Sequence, residues 1–209
     1  MRRGKFITIE GQDGAGKSTN IKVVEKFLQQ KGILFVHSRE PGGTPFGENI
    51  RKTLLNSTDD KIGNTAELLL IFAARAQHIE QVIEPALASG KWVVCDRFTD
   101  ATYAYQGAGR ALDLTMIAQL EQDVQGALRP DLTLLLDLPI EIGASRAGQR
   151  SEPDRFELQK VEFKQRVREG YLSLLKQYPE RIKVVDASLD ILSVAQKIEH
   201  LLQDFYDHV

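Results

Sequence analysis

Short apolar runs alternating with helical stripes constrain this chain more than any other feature. Residues 6–9, 33–36, 92–95 and 132–136 form four such runs, and 182–185 form a weaker fifth. Runs this short and this continuously apolar suit strands buried on both faces, and the helical segments between them supply the crossovers that parallel pairing requires. The expectation is an α/β fold, a doubly wound five-stranded parallel sheet flanked by helices.

Helices follow from apolar spacing. Ile21, Val24, Phe27 and Leu28 make a stripe that ends near Gly32. A longer helix is expected over 65–88, with Leu68, Phe72, Ala76, Ile79, Ile83 and Leu87 on or near one face. The Thr65 hydroxyl is placed to cap it, and Pro85 should kink it or start a fresh turn. Further helices are expected over 114–128, 156–178 and 191–205, with Val161, Val167, Tyr171, Leu174 and Leu175 as packing residues of the second. The 209 residues contain no repeat, low-complexity tract or evident linker, so residues 1–209 read as a single domain.

Composition narrows the function classes. Lys plus Arg number 27 against 29 Asp plus Glu, a net charge of -2, which argues against a non-specific nucleic-acid binder while allowing a local basic cleft. The lone Cys95 can form neither an internal disulfide nor a cysteine metal cluster, which suits a reducing compartment. The basic start at 1–5 precedes an apolar run too short for a signal peptide, and no stretch nears the roughly 18 apolar residues of a membrane span. A soluble, cytoplasmic chain with neither nucleic-acid nor membrane partners is expected.

Between the first run and the first helix lies Gly11-Gln12-Asp13-Gly14-Ala15-Gly16-Lys17-Ser18-Thr19. It fits the phosphate-binding pattern of Gly, four residues, then Gly-Lys-Ser/Thr, in the required strand-to-helix context. Glycines let successive amide groups turn toward phosphate oxygens, and the following helix presents its positive end to the same place. In such a loop Lys17 reaches the β and γ phosphates and Ser18 can ligate Mg²⁺, so ATP and Mg²⁺ are the expected partners. The loop alone does not choose among the phosphate-binding enzymes and switches. A guanine-reading Asn-Lys-x-Asp segment is absent from the sequence, which argues against a GTPase.

Three other groups bear on an acceptor. The third strand runs into Asp96 and Arg97 at the carboxyl edge of the sheet, where open α/β folds bind ligands. Asp96 suits Mg²⁺ or its waters and Arg97 suits a phosphate fork, and a salt-linked strand end is the plainer alternative. Phe72 and Arg75, three apart on a helix, could offer an aromatic plane and a donor to a planar ligand; periodicity equally allows a core residue and a surface residue. Arg146, Arg150 and Arg155, with Gly148 and Pro153 as joints, could form a lid at about 144–155 that brings cations to a moving phosphoryl group; a solvated charge run is the alternative.

In this order the segments closely resemble the thymidylate kinases, specifically the bacterial ones. The matching pieces are the loop 11–19, then Arg39-Glu40-Pro41-Gly42-Gly43-Thr44, Phe72-Ala73-Ala74-Arg75, Asp96-Arg97-Phe98, Ala104-Tyr105-Gln106-Gly107 and the arginine-rich lid, nearly the whole chain. The resemblance implies a P-loop nucleoside-monophosphate-kinase-like fold, Mg-ATP-dependent conversion of dTMP to dTDP, and a homodimer. It implies that Phe72 stacks on thymine, Arg75 bonds to its edge, Thr102 lies beside the base, and Arg39, Pro41 and Arg97 also contact the acceptor, Arg97 at its phosphate. Tyr105 would crowd the sugar's 2' position and so favour deoxyribose. Asp13 would help position the acceptor and the metal-phosphate group, and the absence of an arginine from the loop assigns the transition-state cation to Arg146 or Arg150. A related kinase with broader pyrimidine specificity is the alternative.

Overall fold

The computed structural model describes residues 2–56, 62–147 and 154–209. Among them five strands, β1 (Phe6–Gly11), β2 (Phe35–Arg39), β3 (Trp92–Asp96), β4 (Leu132–Asp137) and β5 (Ile182–Asp186), lie side by side in the order β2-β3-β1-β4-β5. Every neighbouring pair is parallel, as the continuous apolar runs require. After β1 the chain crosses outward to β2, returns to β3 beside β1, and then passes to β4 on the far side. That reversal opens a crevice at the carboxyl ends of β1 and β3.

The pleat divides β1 between two layers. Ile7 and Ile9 face α1 (Lys17–Gln30) and α9 (Ile191–Asp207), joining Val24, Leu28, Leu134, Val194 and Ile198 in the larger core. Phe6 faces the opposite layer with Val93, Cys95, Phe98, Ile83 and Leu87. Thr8 on that side pairs with Thr133 across the sheet at 2.7 Å, so two buried hydroxyls satisfy each other.

Three sequence expectations shift. The second strand begins and ends later than 33–36, because the Ile33 amide closes α1 on the Leu28 carbonyl (2.9 Å) and Leu34 stays exposed. Its polar end is tolerated at the sheet edge. The helix expected over 65–88 starts at Asn64 after Gly63, without a side-chain cap, so Thr65 is not its cap. It runs as α3 (Asn64–His78), a wide π-helical turn (Ile79–Ile83) and α4 (Glu84–Ala88). Pro85 lacks an amide hydrogen and sits in the first turn of α4, so the wide turn takes up the interruption that Pro85 forces. Finally, residues 156–159 form a turn rather than helix. The Asp154 carboxylate accepts from the Phe156 and Glu157 amides at 2.8 and 3.0 Å, and α8 begins only at Val161 (Val161–Gln177).

Three helical segments were not anticipated. These are α2 (Pro45–Asn56), the short α5 (Thr99–Thr102) and its continuation in a second π-helical turn (Tyr103–Gly109). α6 (Leu114–Gln125) stops earlier than expected, at Gly126 with a φ of 54°. Past β4, α7 (Ile140–Ala147) carries the start of the expected lid; residues 148–153, and Arg150 with them, lie outside the described residues.

Candidate active site

Register puts the phosphate loop beside the end of β3. Ile9 pairs with Asp96, and the Arg97 amide donates to the Ile9 carbonyl at 3.0 Å. The loop then leaves β1 with Gly14 at a φ of 79°. A Cβ added to Gly14 would lie 2.2 Å from the Gly143 carbonyl oxygen of α7, so the loop and the base of the lid touch backbone to backbone. Lys17 folds back over its own loop, donating to the Gly11 and Gln12 carbonyls at 3.2 and 3.0 Å. Ser18 and Thr19 stand exposed in the first turn of α1.

Asp13 links this loop to Arg97. Its Oδ1 accepts from Arg97 Nη2 at 2.8 Å and lies 3.8 Å from Lys17 Nζ, while the Tyr105 hydroxyl donates weakly to Oδ2 at 3.4 Å. Burial alone would raise the Asp13 carboxyl, yet the charges of Arg97 and Lys17 hold it below the ordinary value. Lys17 is depressed by burial and by Arg97, against the pull of Asp13, Asp96 and Glu10. Two cations thus share one carboxylate, an arrangement suited to further negative charge. Arg97 holds this position at a φ of 69°, an uncommon conformation for a residue with a side chain. Its guanidinium lies 4.8 Å from the centre of the Tyr105 ring, and its Nη1 donates to the Tyr171 hydroxyl at 3.1 Å.

Tyr171 in turn donates to Glu10 Oε2 at 2.8 Å, and the Phe98 amide donates to Oε1 at 2.7 Å. Burial, reinforced by Asp100, raises the Glu10 carboxyl to about 8. Sequence reasoning missed both residues. A charged side chain closing an apolar strand was the available signal for Glu10, whereas Tyr171 reads only as a packing residue.

An open cleft extends from this cluster and is lined by Asp13, Arg97 and Tyr105 on the loop side. Pro41, Thr102 and Arg75 also line it. Arg75 is 1% exposed; its Nε donates to Glu40 at 2.7 Å and its Nη2 to the Thr102 hydroxyl at 2.9 Å. Its remaining terminal nitrogen, Nη1, is buried with no hydrogen-bond partner among the described residues.

The structure corrects two expected contacts. Phe72 does not line the cleft: it packs with Leu68 and Ile117, and its ring lies 4.9 Å from the Arg75 guanidinium, which it supports. Ile71 faces the cleft instead, because the residue one turn before Arg75 shares its side of the helix more closely. Arg39 points outward to Glu48, with bonds of 3.1 and 2.7 Å, and does not line the cleft. Arg51, anchored to the Pro41 carbonyl at 3.0 Å, is the arginine that α2 brings there. Since α2 was not foreseen, neither was Arg51.

The lid arginines are divided. Arg146 donates to the Ala187 and Ser188 carbonyls beyond β5, at 2.7 and 3.4 Å. Arg155 donates to the Leu54 carbonyl and to buried Glu67, which also accepts from Arg110 and Gln106. It therefore anchors the 154–159 turn, and Asp154 and Phe156 from that turn line the cleft.

A sequence-family model described as thymidylate kinase matches residues 9–198. The chain belongs to the thymidylate kinase family. It is 54% identical over 203 residues to the thymidylate kinase of Alkalilimnicola ehrlichii, covering 97% of this chain and 94% of that protein. Identity to the thymidylate kinase of Ectopseudomonas mendocina is also 54%, over 199 residues and 95% of each chain. Among solved structures, the thymidylate kinase from Ehrlichia chaffeensis superposes with a TM-score of 0.77 at 32% identity, over 96% of this chain and 99% of that one. As a member of the thymidylate kinase family the chain is an enzyme, a phosphotransferase, and its parallel sheet is the family's sheet.

Proposed function

We propose that the chain transfers the γ-phosphoryl group of ATP to the phosphate of dTMP, giving dTDP and ADP, with the loop 11–19 holding the donor and the cleft holding the acceptor. The observation that supports this reading is the bond between Asp13 of the loop and Arg97 of the cleft, which joins the proposed donor site to the proposed acceptor site through one pair of charges.

The acceptor phosphate oxygen is already largely ionised near neutral pH, so the reaction asks for alignment and charge neutralisation more than for a base. Arg97 offers a planar donor fork to that phosphate, and Asp13 and Tyr171 hold the fork in place from two sides. Lys17 lies within the same group and faces the negative charge that develops on the transferring phosphoryl. Arg75, whose Nη1 has no hydrogen-bond partner among the described residues, supplies a donor for a base carbonyl in this reading, with Thr102 beside it and the side chain of Ile71 as an apolar wall. Tyr105, packed against Phe156 and Phe163, is the rigid group in this reading that excludes a 2' hydroxyl.

Asp96 Oδ1 is buried with no hydrogen-bond partner among the described residues, and its charge acts on Lys17 and Arg97; this fits a carboxylate that serves a cation. Ser18 and Asp96 would hold Mg²⁺ or its waters, and the ion would neutralise phosphate charge when bound with ATP. Arg146 serves as a transition-state cation only after leaving the Ala187 and Ser188 carbonyls, and Arg150 is the other candidate for that role. A homodimer and a cytoplasmic location belong to the same proposal.

Incubation with Mg-ATP and dTMP, followed by chromatography of the nucleotides, tests the reading. Equal amounts of dTDP and ADP are expected; ADP without dTDP would leave an ATPase and remove the acceptor assignment.

A further inference from the structure

Behind Arg75 lies a chain of polar groups, buried at Glu40 and His78 and half-buried at Ser38, that the phosphoryl-transfer chemistry does not use. Glu40 is 3% exposed and divides its two oxygens: Oε2 takes Arg75 Nε at 2.7 Å, and Oε1 takes His78 Nδ1 at 2.9 Å. A carboxylate only accepts, so the proton on this side of the ring sits on Nδ1. The other ring nitrogen, Nε2, pairs with the Ser38 hydroxyl at 2.6 Å. His78 and Arg75 lie one turn apart on α3, while Ser38 and Glu40 come from the end of β2 and the residue after it.

The loop after β2 seals this chain. Gly43 has a φ of 79°, and a Cβ there would lie 2.5 Å from His78 ring atoms and 2.6 Å from Ser38 Oγ. His78 is fully buried as a result. Burial alone would raise the Glu40 carboxyl, but the Arg75 charge and the bonds from His78 and Arg75 hold it below the ordinary value. Among the described residues each side-chain polar atom along the chain has a partner except Arg75 Nη1, which is buried on a side chain that lines the cleft. A rigid donor of this kind donates to a ring carbonyl and sets N–H against N–H when an amino group takes the carbonyl's place.

We propose that Ser38, His78 and Glu40 form a hydrogen-bonded relay that fixes the orientation of Arg75 and thereby sets discrimination between pyrimidine monophosphates with a carbonyl and those with an amino group at ring position 4. The inference rests on the cleft being the acceptor pocket. Ser38, His78 and Glu40 are positioning residues in it: they act through Arg75 and touch no reacting atom. With the relay loosened, the guanidinium can withdraw from an amino group at little cost, and selectivity falls before stability does.

Steady-state kinetics of the full chain with Mg-ATP and either dTMP or dCMP test this in Ser38→Ala, His78→Asn and His78→Leu. For His78→Leu the dTMP preference in kcat/KM should fall about tenfold and KM for dTMP rise about tenfold, with KM for ATP within about twofold of wild type. His78→Asn, whose amide can still donate toward Glu40, should recover part of the preference, and Ser38→Ala should lower it by about threefold. Loss of thermal stability with an unchanged dTMP-to-dCMP ratio overturns the relay, since a purely structural histidine behaves that way. Should His78→Leu fail to fold, an unchanged ratio in Ser38→Ala overturns it equally. A wild-type enzyme that uses dCMP as readily as dTMP removes the acceptor reading, and this inference with it. A discriminating wild type with equally discriminating variants removes the relay alone.

Discussion

Removing the Arg97 side chain separates folding from catalysis in this site. Arg97→Ala leaves the backbone problem unchanged, because alanine carries the same Cβ into the same φ of 69°, and the amide bond to Ile9 needs no side chain. What disappears is the 2.8 Å bond to Asp13, the 3.1 Å bond to Tyr171 and the contact over the Tyr105 ring. Asp13 keeps Lys17 at 3.8 Å and is about a third exposed, so the loss is less than that of a fully buried pair. A stability cost of about 1–3 kcal/mol follows. Transfer should suffer more: one preorganised donor to the charge of the reacting phosphates is worth about 3–4 kcal/mol, or roughly 10²–10³ in kcat/KM for dTMP. Arg97→Lys keeps the charge but loses the fork, and should fall between the two. A coupled ADP-release assay with dTMP and ATP varied separately, beside urea unfolding, measures both quantities. A normal dTMP response in a folded Arg97→Ala protein would remove Arg97 from the acceptor phosphate.

Two further outcomes follow from the same cluster. Glu10 is raised to about 8 from 4.5, so between those pH values the folded chain holds a proton that the unfolded chain releases, and stability falls as pH rises. Glu10→Gln should flatten that fall in urea unfolding at a series of pH values, and parallel curves for the two proteins would contradict the assignment. Tyr105→Ala removes a ring within 5.8 Å of Phe156 and 6.2 Å of Phe163, costing about 3 kcal/mol or more in stability. The preference for dTMP over its ribose counterpart should also fall about tenfold, and a preserved preference would make Tyr105 a packing residue alone.

The sheet was legible because burial on both faces leaves apolar runs, and the loop 11–19 because a phosphate site demands its glycines. Arg97 was raised by its place at the end of an apolar strand and Arg75 by helical spacing, whereas Thr102 and Tyr105 came only through motif resemblance; both kinds of signal preserve residue order without orientation. Orientation is where the reading went astray. Phe72 and Ile71 are adjacent in sequence, and only the rotation of α3 decides which of them faces the cleft. Arg39 and Arg51 differ in the same way, through a helix whose onset at Pro45 carried no strong signal. The bonding roles of Glu10, Tyr171 and His78 were hidden for another reason. Their partners lie on separate elements, and nothing in a linear pattern marks a buried hydrogen-bond chain.

In the proposed function one cleft reads a pyrimidine monophosphate at Arg75 while Arg97 holds its phosphate beside the ATP loop. Initial rates with Mg-ATP against dTMP, dUMP, dCMP, UMP and AMP test it most directly. Highest kcat/KM for dTMP, with dUMP next and dCMP, UMP and AMP well below, is the predicted order. Equal use of dCMP, or a preference for AMP, would contradict the claim.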